Sequence, residues 1–232
     1  MPFQFEKGEI LLINKPYTWT SFDVVGKMRS VIRQTTGIRK IKIGHAGTLD
    51  PLATGLLILC TGKFTKRIEE FQGLEKEYTG TFFLGATTPS FDLETKPEGI
   101  LPVGHITPEV ILDTAKQLTG TFDQVPPLFS ARWIDGKRAY TYARQEINRE
   151  IQARQVTVSA FGITRIDIPE VDFRIVCSKG TYIRSLARDF GEIMSCGAHL
   201  IALCRTRIGA YYLRDAYEIK DLEEQIRTET PC

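Results

Sequence analysis

Two runs of strand-like composition, residues 155–168 and 171–178, are separated only by Pro169-Glu170. A connection that short joins antiparallel neighbours, because a parallel pair needs a crossover of a dozen residues or more. Further strand-like runs lie at residues 9–14, 56–59, 77–84 and 199–208. Helical patterns fall between some of them. Val24, Val25, Met28, Val31 and Ile32 recur at helix spacing behind Ser21, which can cap that helix. Thr107-Pro108-Glu109 has the cap, first-turn proline and early acid of a helix start, with Gly120 as its stop. Residues 181–194 place Ile183, Leu186, Ala187 and Phe190 on one helix face, and short helices fit residues 65–71 and the stretch from Lys220. Asp135-Gly136 is a hairpin signal, and residues 86–106 read as an exposed excursion. Strands thus neighbour each other about as often as they alternate with helices. The expected fold class is α/β of the α+β kind, a mixed and largely antiparallel sheet flanked by helices. With 232 residues, no repeats and no Pro/Gly/Ser linker, a single domain over residues 1–232 is expected.

Composition excludes more than it suggests. Hydrophobic residues make up 42% and charged residues 25%, as in an ordinary globular chain. MPFQFEKGEILLINK holds no apolar stretch long enough for a signal peptide or a membrane span, so a cytoplasmic location is expected. The cysteines (Cys60, Cys177, Cys196, Cys204 and Cys232) are odd in number and lack CxxC spacing, and no two histidines pair at ligand spacing. Neither a disulfide framework nor a metal site is expected. The formal net charge is only +2, but residues 27–42 hold Lys27, Arg29, Arg33, Arg39, Lys40 and Lys42 and no acid. Such a stripe can hold a phosphate backbone even when the whole chain is near neutral.

That stripe leads into GHAGTLDP, where Asp50 follows Gly44 and Gly47 and precedes Pro51. A residue before proline is pushed out of the helical region, so Asp50 can project from extended chain. Asp-Pro-Leu-Ala equally makes a helix start with Asp50 as N-cap, and read alone the cap is the simpler account. The bases upstream favour a carboxylate that stays ionised and can act as nucleophile or base. In CSKGTYIRSLARDFG, Arg184 and Arg188 are four apart on one helix face. They fit a solvated basic face or, for Arg184, a grip on a carboxylate or phosphate. Tyr78 alternates with Thr79 as a core aromatic does, and His45 in its Gly-rich loop is either simply exposed or fills a gap in a base stack. GHAGT lacks the GK[ST] ending of a P-loop and the third glycine of a dinucleotide fingerprint, which excludes an NTP or NAD site. A glycoside hydrolase would need a second carboxylic acid near Asp50 that the sequence does not offer.

Taken in order, six segments resemble those of the TruB-type tRNA pseudouridine synthases, the bacterial relatives of the dyskerin-like enzymes. They are ILLINKPYTWTS, GHAGTLDPLATGLLIL, KEYTGTFFLG, VPPLFSARWIDGKRAYTYAR, CSKGTYIRSLARDFG and CGAHLIALCRTRIG, and the likeness runs from about Gly8 to about Ala216. The resemblance implies a domain of pseudouridine-synthase type that isomerises the T-loop uridine of tRNA, uridine 55, without metal or organic cofactor. The T-arm of tRNA is the implied partner, and a monomer is expected. Asp50 falls on the family's catalytic aspartate, Tyr78 on the tyrosine that stacks on the target base, and Arg184 on the arginine that pairs with the aspartate. His45 matches the loop histidine that occupies the space of the extruded base. Tyr182 and Leu203 fall on positions lining the uracil pocket, while Lys15 and Pro16 match a motif that supports the active-site loops. Arg39, Lys40 and Lys42 are the RNA-backbone candidates of the stripe. Two departures are Cys204, where relatives often carry arginine, and Phe129, where tyrosine is also common. Because the likeness ends near Ala216 and many relatives continue into a C-terminal RNA-binding domain, a short form lacking that domain is expected. An intact Asp50, Tyr78 and Arg184 favour an enzyme over the second reading, a non-catalytic RNA-binding or tRNA-folding module on the same scaffold.

Overall fold

The structure, a computed structural model, describes residues 3–130, 133, 134, 136–143, 145, 147 and 151–229. Asp135 of the expected hairpin and Cys232 lie outside the described residues. The chain divides into two compact units, Met1–Tyr78 with Leu203–Cys232, and Thr79–Ala202.

Unit one opens with β1 (Ile10–Lys15), α1 (Ser21–Thr36), β2 (Ile43–His45) and β3 (Thr54–Thr61). A 3-10 turn (Gly62–Arg67) and α2 (Ile68–Gly73) follow, and β4 (Lys76–Leu84) leads out of the unit. β3 is its central strand. It runs antiparallel to β1, with Lys15 opposite Gly55, and antiparallel to β2, with His45 opposite Leu59. A strand buried on both faces reads as an unbroken apolar run, and LLILC does so. Leu57 and Leu59 face one cluster with Leu11, Ile13, Val24, Met28 and Ile32; Leu56, Ile58 and Cys60 face another with Ala46, Phe71 and Ile208.

Helix α1 is capped one residue earlier than its sequence implies. The N-cap is Thr20, whose hydroxyl accepts from the Asp23 N–H while the Asp23 carboxylate accepts from the Thr20 N–H, a reciprocal capping box. Ser21 is left free for another task, described below. Gly37 closes the helix at φ 70°, donating its N–H to the Arg33 carbonyl.

Unit two continues along β4 into the pair β5 (Ala86–Thr87) and β6 (Glu98–Ile100), α3 (Pro108–Gln117) and β7 (Gly120–Gln124). Next come β8 (Trp133–Ile134), β9 (Lys137–Arg138) and α4 (Ala139–Ala143). β10 (Arg154–Asp167), β11 (Glu170–Cys177), α5 (Ile183–Ile193) and the first half of β12 (Ala198–Ile208) complete it. The sheet order here is β4–β11–β10–β7, and the β10–β11 and β10–β7 pairs are antiparallel, as the short Pro169-Glu170 connection requires. Phe82, Phe161, Phe173 and Phe190 meet at centroid distances of 4.3–6.3 Å and lock α5 onto this sheet.

The remainder of β12 returns to unit one, where Cys204 and Arg205 pair in parallel with Thr54 and Gly55 of β3. Then come β13 (Tyr211–Tyr212), antiparallel to β12, and α6 (Ile219–Glu229). Leu222 and Ile226 of α6 are fully buried in the cluster formed by α1 and β1. Helix α6 therefore contributes to the core of unit one. The fold is the mixed, mainly antiparallel sheet with flanking helices that the sequence implies. No helix among the described residues is long and apolar enough to cross a membrane.

Candidate active site

Asp50 lies in the loop between β2 and β3, half-buried, and caps no helix: residues 51 and 52 form a turn, closed by the Ala53 N–H donating to the Asp50 carbonyl at 3.1 Å. The loop is held from three sides of unit one. From the end of β1, the Lys15 ammonium donates to the carbonyls of Pro16 (3.0 Å), Trp19 (2.6 Å) and Pro51 (3.3 Å). The Thr18 N–H adds a bond to Pro51 O at 2.9 Å, from a residue held at φ 71°. A non-glycine residue in that conformation is costly and persists only where its surroundings impose it. From α1, the Ser21 hydroxyl accepts from the Leu49 N–H at 2.9 Å and faces the Leu49 carbonyl at 3.3 Å.

The third hold is Arg205, fully buried on β12. Its guanidinium donates through Nε to Leu56 O (2.8 Å), through Nη2 to Gly47 O (3.1 Å) and through Nη1 to Thr48 O (3.4 Å). Lys15, Gly55 and Arg205 sit in register across three neighbouring strands, so the two buried cations flank a residue without a side chain. Gly55 has φ 103°, and a Cβ there would run into the Arg205 backbone. Only glycine lets the strands approach this closely.

These cations set the electrostatics of the loop. Burial pushes the Lys15 ammonium down from 10.5 to about 8, against the pull of the Asp50 carboxylate, and the Arg205 charge lowers it further. Burial also lowers the His45 imidazole, with the Arg205 charge adding to the effect and the Gly47 backbone opposing it, which favours the neutral form. His45 meets Phe22 edge-on at 5.6 Å. Pro16 is half-buried beside Lys15, Tyr78 is buried on β4, and Leu203 is half-buried on β12, its carbonyl 3.4 Å from the Thr54 hydroxyl. Arg39, Lys40 and Lys42 are all exposed on the segment between α1 and β2.

Within unit two, Arg184 is not part of a solvated basic face. It is 3% exposed, donates to Ser90 O (3.1 Å) and Phe129 O (2.9 Å), and lies 3.5 Å from the Asp92 carboxylate. Arg188 on the same helix is paired with Asp189 at 2.6 Å. Tyr182 stands at the N-cap of α5, where Gln124 bonds both its N–H (2.8 Å) and its carbonyl (3.1 Å), and Arg154 lies over its ring at 5.0 Å. Phe129 contributes its carbonyl to Arg184, a role independent of ring substitution.

Three contributors are invisible in the sequence. Arg205 looks no different there from its neighbour Arg207, because what distinguishes it is a partner 149 residues away. Ser21 reads as the cap of its own helix. Asp92 lies in a stretch whose composition suggests exposure, yet Thr88, Ser90 and Asp92 are buried and bonded to one another.

A β3-centred sheet carrying an aspartate on a clamped loop defines a class, and sequence comparison gives it a family. The profile of the TruB family pseudouridylate synthase N-terminal domain matches residues 33–183, and the chain belongs to that family. Its relatives include tRNA pseudouridine synthase B of Flavobacterium johnsoniae, 54% identical over 97% of this chain and 99% of that protein. The enzyme of the same name from Bacteroides thetaiotaomicron is 53% identical over 96% and 94%. Among solved structures, a chain of a Cbf5–Nop10–Gar1 complex superposes with a TM-score of 0.73 at 25% identity; this chain is covered to 95% and spans about half (54%) of that one. A second profile, the tRNA pseudouridylate synthase B C-terminal domain, matches residues 184–230. This corrects the expectation of a form lacking the C-terminal domain. The matched stretch runs through α5, β12 and α6, and α6 is built into the core of unit one through Leu222 and Ile226.

Proposed function

We propose that this protein converts uridine to pseudouridine in tRNA, at the T-loop uridine (uridine 55), with Asp50 as the key catalytic residue. The observation that carries the reading is the Asp50 loop itself, braced by Lys15, Ser21 and Arg205. Family membership and full-length relatives named tRNA pseudouridine synthase B support it. The reaction breaks the bond from the sugar C1′ to uracil N1 and forms one from C1′ to C5. A proton leaves C5 and N1 gains one, so the balance is redox-neutral and calls for no metal or organic cofactor. Asp50 acts by attacking the sugar or ring carbon, or by assisting proton removal from the sugar; each route needs its carboxylate ionised. The bracing pre-positions that carboxylate, so little reordering is required at the moment of reaction.

The remaining site residues are part of the same proposal. Tyr78 stacks on the target base, Tyr182 and Leu203 line the uracil, and Arg184 keeps the aspartate oriented. Neutral His45 fills the gap left by the base, whose extrusion costs roughly a few kcal/mol. The protein works as a monomer on cytoplasmic tRNA, holding the T-arm backbone with Arg39, Lys40 and Lys42.

An unmodified tRNA transcript incubated with the wild type and with Asp50→Asn, followed by chemical mapping of pseudouridine, tests the reading. Wild type should modify the T-loop uridine, and the variant should be slower by roughly 10²–10⁴-fold or more while binding the transcript normally. A folded wild type that modifies no tRNA would leave the non-catalytic RNA module standing instead.

A further inference from the structure

The first two turns of α1 carry a groove of about 420 Å³, lined by Trp19, Phe22, Asp23, Gly26 and Lys27. That volume falls within the range of small-ligand sites, about 300–1,000 Å³. Phe22 is 76% exposed, although α1 buries Val24, Val25, Met28, Val31 and Ile32 in the ordinary way. Its near-perpendicular contact with His45, at 86° between planes, uses at most one face of the ring and leaves the other open.

Gly26 lies one turn beyond Phe22 on the same side of the helix. Glycine in a helix interior is unfavourable relative to alanine and is usually explained by a left-handed φ or a close neighbour. Neither holds here: the φ of Gly26 is not positive, and a Cβ built on it would meet nothing within 4 Å. What the glycine provides is an unobstructed floor beside the Phe22 ring.

Charge and position narrow the occupant. No acid occurs between Asp23 and Asp50, whereas Lys27, Arg29, Arg33, Arg39, Lys40 and Lys42 do. Lys27 stands at the rim, fixed by Glu223 at 2.5 Å, and Glu223 also takes Arg227 at 2.9 Å, so the trio keeps one net positive charge. Inside the groove, the Asp23 carboxylate repels a phosphate but accepts from the N–H edge of a base. The groove also adjoins the Asp50 loop, since Ser21 bonds Leu49 and Phe22 touches His45.

We propose that this groove is a base-stacking subsite, taking an unpaired nucleobase of the RNA loop next to the target uridine. The base lies on Phe22 above Gly26, with Trp19 behind it and its backbone passing the Lys27 rim. This rests on the reading of the protein as an RNA-modifying enzyme.

Binding of an unmodified tRNA transcript and its rate of pseudouridine formation test the subsite, using Phe22→Ala, Phe22→Tyr and Gly26→Leu. Phe22→Ala and Gly26→Leu should weaken binding by about tenfold, with the loss appearing in KM more than in kcat, while Phe22→Tyr stays within about twofold of wild type. Gly26→Leu should melt no lower than wild type, because leucine favours the helix and its Cβ meets nothing within 4 Å, and a melting temperature at or above wild type separates its binding loss from unfolding. Binding by both variants within about twofold of an active wild type overturns the subsite and leaves the enzymatic reading intact. An inactive wild type overturns the enzymatic reading, and the subsite with it.

Discussion

Arg205 is the residue on which the candidate site depends most and which its sequence least advertises. A fully buried guanidinium is tolerated only when its donors are taken up, and here they go to the carbonyls of Leu56, Gly47 and Thr48. Arg205→Met removes that donor from the three carbonyls, at about 1–3 kcal/mol for each buried group left unsatisfied. Urea unfolding should register a loss of about 3 kcal/mol or more, and the imidazole of His45 should titrate at higher pH in the variant because a neighbouring positive charge is gone. An NMR titration that finds His45 unmoved would mean the guanidinium does not act on this loop. Lys15, His45 and Asp50 can be picked out from the chain because they sit in short, distinctive segments. Arg205 cannot, since burial of a charge is decided by strand pairing across most of the chain and not by local letters.

Among the elements, α1 does the most for the site, and its legibility is uneven. The apolar spacing of Val24 to Ile32 gives the helix directly, but the sequence cannot say which of Thr20 and Ser21 is the cap. Thr20 takes the cap with Asp23, and this frees the Ser21 hydroxyl to satisfy the buried Leu49 amide next to Asp50. The two serve different ends, and substitution should separate them. Thr20→Ala should cost about 0.5–2 kcal/mol of stability, with little change in turnover. Ser21→Ala should cost about 1–3 kcal/mol and, if Asp50 acts as proposed, also lower kcat, because the amide it abandons is the Leu49 N–H next to Asp50. Equal effects on turnover from the two would contradict the assignment. Residues 86–106 mislead for the opposite reason. Their polar composition reads as solvent-facing, yet Ser90, Thr95 and Asp92 satisfy one another and the segment helps to bury Arg184.

At the scale of the molecule, the order of strands and helices is largely readable, including the antiparallel β10–β11 hairpin and the terminal helix near Lys220. The parallel pairing of β12 with β3, and the return of α6 onto α1, are not, because nothing local records which distant strand closes a sheet. Burial of Leu222 and Ile226 contributes about 1.5–3 kcal/mol each to unit one. The role proposed for the exposed trio Arg39, Lys40 and Lys42, long-range attraction of the RNA backbone, belongs to this scale too. Replacing all three with glutamine should weaken tRNA binding and reduce the slope of log K against log salt by about 1 for every phosphate the variant no longer neutralises. An unchanged slope would put the RNA backbone elsewhere. The split of unit one between the first 78 residues and the stretch from Leu203 also sets a timetable. At a synthesis rate of about 5–20 residues per second, Arg205 leaves the ribosome roughly 8 to 30 seconds after Asp50. Until it does, the Asp50 loop lacks the guanidinium that donates to Gly47, Thr48 and Leu56.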